Sequence, residues 1–206
     1  SIINTLYIIL LSLIISVPIG VGGAIYINEY AKNKKLIRVI EFTTETLSGI
    51  PSIIFGVFGY IFFCTFLDLK VSLLSGALTL TLMVLPTIIS VSETALKAVP
   101  REYEEASLAL GATWNETVFK VTFPAAKSGI AASVVLGIGR AVGEAMAIMM
   151  VCGNVANMPS LFSSVRFLTT AIAGEMSYSS GLHRQALFSI ALILYCFIMI
   201  INMILN

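Results

Sequence analysis

Residues 1–28 carry no charged side chain, and neither do residues 46–67, 71–92 and 185–206; a fifth stretch, 128–153, is interrupted only by Arg140 and Glu144. A hydrocarbon core about 30 Å thick is crossed by about 20 apolar residues of helix. Backbone polar groups in lipid must be satisfied within the segment, which leaves helices as the natural spanning element for runs of this length. Five spans are therefore expected, and composition agrees. The chain is 58% hydrophobic and 11% charged, against about 25% charge in an ordinary soluble domain. A formal net charge of +1 gives no strongly basic face, so nucleic-acid binding is not expected.

The small counts narrow the chemistry further. Cys64, Cys152 and Cys196 stand in apolar surroundings without metal-ligand or redox spacing, and His183 is the only histidine. No metal centre or bound cofactor is expected, and the cysteines read as small hydrophobes. Residues 1–28 do not have the charged start and small-residue cleavage site of a signal peptide. Lysine and arginine are retained on the cytoplasmic side of membrane proteins. Lys32, Lys34, Lys35, Arg38, Lys97, Arg101, Lys120 and Lys127 fall on one side of the expected spans, against Lys70, Arg166 and Arg184 on the other. The expected orientation thus starts outside and ends inside, with a loop of about 94–127 in the cytoplasm and one of about 154–183 outside. A chain starting outside directly on a span suggests that a helix precedes this sequence.

Glycine and proline interrupt several spans, most densely in "SGIPSIIFG", as expected for a packed bundle with a pathway rather than a simple anchor. Within 128–153, "GIGRAVGEAMA" puts Arg140 and Glu144 four residues apart, on one face of a continuous helix. Two readings of this pair stand. It is an ion pair that fixes packing, or Arg140 offers its donor fork to an oxyanion moving through the bundle while Glu144 moderates its grip. Gly139 and Gly143 form a GxxxG, which lets another helix come close.

The loop at 101–126 holds six charges and the only tryptophan. Pro100 followed by Glu102, Glu104 and Glu105 marks a helix start. Gly111 interrupts it, and Trp114, Val118 and Val121 recur at helical spacing until Pro124, expected to end the second helix. Two short helices are expected, whose apolar faces could dock in a partner's groove or rest on their own bundle or on lipid headgroups. On the other side, Phe162, Val165, Leu168 and Ile172 share helical spacing and suggest a surface helix. Arg166, Glu175, His183 and Arg184 read as interfacial charges.

Glu105-Ala106-Ser107, three residues, Gly111, nine residues, then Val121-Thr122-Phe123-Pro124 resembles the E-A-A-x3-G-x9-I-x-L-P loop of ABC importer permeases. "ETLSGIPSIIFGVFGY", "GIGRAVGEAMAIMMVCGN" and "MSYSSGLHRQALF" are similar to the phosphate importer permeases, the PstA and PstC type. The Arg140–Glu144 piece is shared with molybdate- and sulfate-type permeases, and Ala145 stands where phosphate permeases usually have Thr. The first half is more similar to the PstA type and the later part to the PstC type. The resemblance implies an all-α membrane protein with the MetI-like permease bundle, a single transmembrane permease domain over 1–206 with five helices plus coupling helices. It implies a bacterial or archaeal cell-membrane protein that imports phosphate, or another oxyanion such as molybdate, tungstate or sulfate. It further implies ABC ATPase subunits as partners, docking on Glu105, Ala106, Ser107, Gly111 and Pro124, with a second permease subunit and an external phosphate-binding protein. Such a chain is not itself an enzyme: it has no G-x-x-x-x-G-K-[ST] loop for ATP. A membrane enzyme would need converging nucleophiles and bases, and a passive channel or scaffold would not need the paired loop helices.

Overall fold

The structure, a computed structural model, describes residues 1–205. Among these residues the regular elements are helical throughout, with no strand. Helix α1, Ile2–Ile25, continues through a wide π-helical turn at Tyr26–Tyr30. Then follow α2 (Lys34–Ser48), α3 (Ser52–Gly59, with a π-helical extension Tyr60–Phe66) and α4 (Leu73–Lys97). Next come α5 (Arg101–Ala109), α6 (Trp114–Thr117), α7 (Phe123–Ala125) and α8 (Lys127–Gly143). The chain closes with α9 (Met146–Cys152), α10 (Leu168–Glu175) and α11 (Gly181–Leu205).

Among the described residues three helices are long and apolar enough to cross a membrane: Ile2–Tyr30, Leu73–Lys97 and Gly181–Ile200. The number rises to five if two bent pairs, Lys34–Ser48 with Ser52–Phe66 and Trp114–Ala125 with Lys127–Gly143, each count as one span. The most apolar window of α4 is 56% buried and that of α11 only 6%. Helix α4 is therefore a core element, whereas α11 leaves its apolar surface for lipid or another chain.

Glycine and proline act selectively. Pro18 and Pro86 lie inside helices that continue past them, whereas Gly49–Pro51 separates α2 from α3. Pro51 sits just before α3, where its missing N–H costs no helical bond.

The residues cluster into two compact units. The first comprises Ser1–Ile15, Ile50–Val84 and Ile138–Asn206. In it, Gly56 and Gly59 explain the glycine-rich motif. A Cβ on Gly56 would stand 2.8 Å from the Ala147 Cα, so only glycine lets α3 lie this close to α9. Gly59 meets the Thr79 side chain in the same way.

The segment 153–167 of this unit is irregular rather than helical, which corrects the expected surface helix. Only Leu168 and Ile172 of the expected stripe lie in α10. Val165 is fully buried and Phe162 is exposed. Backbone groups are instead satisfied across the segment: Leu73 N–H donates to Ser163 O (3.1 Å) and Val165 N–H to Cys152 O (3.2 Å). The buried Asn4 amide donates to the carbonyls of Asn157 and Arg166, both at 3.0 Å. Burial of these partnered groups, not hydrophobic period, sets the conformation.

The second unit comprises Ser16–Gly49 and Leu85–Gly137. Its core is Ala24, Ile25, Leu96, Val118, Ala126 and Ile130, flanked by Val21, Tyr30, Val99 and Phe123. Gly129 approaches Ala95 closely, and the buried hydroxyls of Ser92 and Ser133 lie 2.8 Å apart, so α4 and α8 touch through small residues.

Candidate functional site

The candidate residues fall into two sites, one in each unit. The first is the charged hairpin of the second unit. Helix α5 starts at Pro100, with Glu102 and Glu104 in its first turn, and ends in a turn where Gly111 adopts φ +89°. That left-handed conformation suits glycine and strains any residue with a Cβ. Thr113 then opens α6 with a capping box. Its hydroxyl accepts from the Glu116 N–H, and the Glu116 carboxylate accepts from the Thr113 N–H at 3.0 Å. Glu116 also pairs with Lys120 at 3.1 Å. The Thr113 N–H, then Lys120 and the Thr113 hydroxyl, hold its carboxyl down at about 2.

Pro124 does not end this helix. The chain widens into a π-helical stretch at Val118–Thr122, where the Phe123 N–H donates to Val118 O, and stays helical through Ala125. The bend comes one residue later, with 64° between Trp114–Ala125 and Lys127–Gly143.

The second helix of the hairpin is the anchor. Val118 and Thr117 are fully buried, and Val118 packs in the core formed with Ala24, Leu96 and Ile130. The hydroxyl of Tyr30 donates to Asn115 Oδ1 at 2.8 Å, and the Trp114 indole N–H donates to Glu29 O at 3.3 Å. The first helix is tied to the second through Ser107 and Thr117, whose hydroxyls are 2.9 Å apart, and through Thr122, whose hydroxyl donates to Glu104 Oε1 at 3.3 Å. Ser107 is thus a structural link. Glu105, Ala106 and Leu110 are exposed, with Leu110 at 90%.

A cavity of about 430 Å³ opens beside α5, lined by Glu29, Lys97, Arg101, Glu104, Glu105 and Trp114 among others. Lys97 lies 2.9 Å from Glu41 and 2.7 Å from Glu93, the latter close but not aligned as a hydrogen bond. Tyr30 carries no signal in the sequence, and Glu104, Trp114 and Lys97 stand out there only as a helix-start charge, a member of an apolar stripe and a charge on the cytoplasmic side, not as parts of a site. The signal for Glu104 was available: it precedes Glu105 on a helix where consecutive residues cannot share a face.

The second site, in the first unit, corrects the expectation of one continuous helix over 128–153. Helix α8 ends at Gly143, with Arg140 in its last turn, and α9 begins at Met146. Glu144 therefore stands just past the end of the helix that carries Arg140. Glu144 is 9% exposed, and its Oε1 accepts from the Ala147 N–H at 3.0 Å. Its backbone carbonyl accepts from the Thr169 hydroxyl at 2.9 Å. A carboxylate at a helix start both satisfies a free N–H and complements the dipole, so Glu144 stabilises the very interruption it sits in. Arg140 is half-buried. A Cβ on Gly139 or Gly143 would meet no atom within 4 Å; among the described residues no helix uses that GxxxG.

In this unit Glu175 also bridges Arg166 at 2.9 Å and His183 at 3.0 Å, beside a cavity of about 450 Å³ that includes Asn4 and Asn157. Three of the four expected interfacial charges thus form a cluster, while the Arg184 guanidinium lies over the Phe188 ring at 5.9 Å. Cys64 and Cys152 are buried, and Cys196 is exposed. No group of three metal-ligating side chains occurs among the described residues.

A helical membrane protein with a charged hairpin seated in a core of its own is the class that these features define. Residues 16–206 match the family described as "Binding-protein-dependent transport system inner membrane component", and the chain belongs to that family. It is 38% identical over 208 residues to a protein of Bacillus subtilis named "Probable ABC transporter permease protein YqgH", covering 94% of this chain and 66% of that one. It is 37% identical over 220 residues to the "Phosphate transport system permease protein PstC" of Pasteurella multocida, covering 94% and 68%. A second Bacillus subtilis relative, "Probable ABC transporter permease protein YqgI", is 39% identical over 150 residues, with 73% and 51% covered. The chain thus spans between half and two thirds of the length of these two Bacillus subtilis relatives. Among solved structures, an inward-facing MetNI methionine ABC transporter matches with a TM-score of 0.73 and 22% identity over 98% of this chain and 88% of that one. At that identity the likeness shows the fold, which is the MetI-like permease bundle.

Proposed function

We propose that this chain is the membrane subunit of an ABC importer for inorganic phosphate, coupled through its hairpin to ATP hydrolysis in a separate subunit. The carrying observation is the anchoring of Val118 in a core shared with residues of α1, α4 and α8, while Glu105, Ala106 and Leu110 remain exposed on the other helix. A load applied to the exposed helix passes through the Ser107–Thr117 and Glu104–Thr122 links to membrane-grade helices. An ATPase docked there biases a two-state bundle by binding one state better.

In this reading residues 1–206 act as one permease domain in the cell membrane, with 94–127 in the cytoplasm and 154–183 outside. A second permease subunit completes the pathway and an external binding protein delivers the cargo. Phosphate is the favoured cargo because the named relatives include phosphate permeases. Arg140 supplies positive charge toward the anion, and Glu144 shapes the break beside it.

The test is reconstitution with the ATPase and binding protein. Labelled phosphate uptake should be resisted weakly by molybdate and sulfate; stronger competition by either reassigns the cargo. Glu105→Lys should abolish uptake while ATP hydrolysis continues uncoupled, and unchanged uptake would refute the docking role. Arg140→Ala should lower uptake by at least about tenfold, equivalent to about 1.4 kcal/mol, in a complex that still assembles. Normal uptake in that variant would remove Arg140 from the pathway.

A further inference from the structure

Helix α2 has a surface that neither the hairpin nor the Arg140 region employs. It begins at Lys34, four residues after Tyr30, the end of the 29-residue apolar helix Ile2–Tyr30. Only Ala31, Lys32 and Asn33 intervene. The Asn33 side chain caps the new helix by accepting from the N–H groups of Lys35 and Leu36. A helix that starts so soon after a membrane-length segment begins at the level of the bilayer surface.

Its sequence, KKLIRVIEFTTETLS, is too charged to cross lipid and too apolar on one side for water. Ile37, Ile40, Glu41 and Thr44 are half-buried or buried, which defines the face turned into the protein. Glu41 on that side is engaged by Lys97. Turned away are Leu36, Val39 and Phe42, which are 43%, 61% and 68% exposed. Lys34, Lys35 and Arg38 flank this strip and are exposed, and Glu45 is the one remaining carboxylate on the helix. An apolar strip edged by cations at bilayer height is complementary to an anionic headgroup layer over acyl chains.

We propose that α2 is an interfacial helix that binds anionic phospholipid, seating Leu36, Val39 and Phe42 among the upper acyl carbons and Lys34, Lys35 and Arg38 against headgroup phosphates. The long basic side chains reach outward to the phosphates while their stems cover the strip. The assignment to an inner leaflet rests on the orientation proposed above. The lipid contact itself does not, because a nanodisc presents the same lipid on both faces.

The experiment places a reporter at Phe42→Trp in the full-length permease, reconstituted in nanodiscs of phosphatidylcholine with or without phosphatidylglycerol. Quenching by lipids brominated near the top of the acyl chain is measured, and the signal of Trp114 is subtracted using the unaltered protein. Brominated phosphatidylglycerol should quench the reporter about twofold more than brominated phosphatidylcholine at equal content. The variant K34Q/K35Q/R38Q should erase that preference while leaving quenching by phosphatidylcholine. Native mass spectrometry of the unaltered chain, set against the triple variant, should show phosphatidylglycerol retained only by the former. Equal quenching by both lipids, or an undiminished preference in the triple variant, overturns the anionic site. A reporter that lipid never quenches but that an added ATPase subunit shields would make α2 a protein interface instead.

Discussion

Two helix starts in this molecule are capped by a glutamate, and they differ in what surrounds the carboxylate. At α6, Glu116 closes a capping box with Thr113 on an exposed surface. At α9, Glu144 is buried and its Oε1 takes the Ala147 N–H directly. In water the exposed cap competes with solvent, and its loss leaves groups that solvent can satisfy. In the interior a lost acceptor leaves an N–H with nothing to replace it. The hairpin therefore depends on its packing, and the α8–α9 break depends on its cap.

The sharpest way to break that comparison is to attack the packing under the hairpin. Val118→Ala removes two methyl groups from a fully buried site between Ala24, Leu96 and Ile130. The expected loss is about 2 kcal/mol, from transfer plus the space left behind. Thermal unfolding in detergent would register it, and the proposed phosphate uptake should fall more than ATP hydrolysis by the proposed partner as the hairpin loosens from its core. If stability were unchanged, the hairpin would be held by its surface bonds, and the two glutamate-capped starts would not differ in this way.

Why the hairpin is legible in sequence and the break is not follows from the same contrast. Pro100, the acidic first turn, Gly111 and the Thr113–Glu116 pair are local signals that solvent does not override, so two helices and their turn can be read from residues alone. Period puts Trp114, Val118 and Val121 on one face, but that Val118 is the fully buried member is seen only in the structure. The break after Gly143 has no proline and no run of turn residues. It exists because α9 packs on Gly56 of α3 and because the Glu144 carbonyl finds Thr169, contacts between stretches far apart in the chain, with the Glu144 carboxylate capping Ala147 three residues on. The glycine of "SGIPSIIFG" signalled a close approach but not its partner. The segment 153–167 failed as a helix for a related reason: Asn4, 153 residues from Asn157, supplies its hydrogen bonds.

The buried cap offers the next test. Glu144→Ala removes the acceptor for Ala147 N–H and should cost about 1–2 kcal/mol. Glu144→Gln retains a side-chain oxygen at the same reach and should cost less than half as much. Unfolding of the two variants side by side decides between a cap and a charge. If glutamine is as damaging as alanine, the negative charge itself matters, which would favour direct interplay with Arg140 over a role in shaping the break.

The smallest effect belongs to the exposed cap, and acid is the means of reaching it. Glu116 has an ordinary carboxyl value of 4.5 and is held at about 2 in the folded chain, chiefly by the Thr113 N–H and then by Lys120. A carboxyl held low contributes its full stabilisation above 4.5, loses it as the pH falls toward 2, and contributes nothing below. The α6 start should accordingly fray within that window while the Val118 core remains closed. Hydrogen exchange of the peptide 113–117, corrected for the intrinsic acid dependence of exchange, should show protection declining between pH 4.5 and 2. Lys120→Gln should move the decline to higher pH, since one of the groups favouring the charged form is gone. Protection that survives unchanged to pH 2 would mean that the box contributes nothing beyond what the packing of Val118 already secures, and the two glutamate caps would then differ in kind rather than in degree.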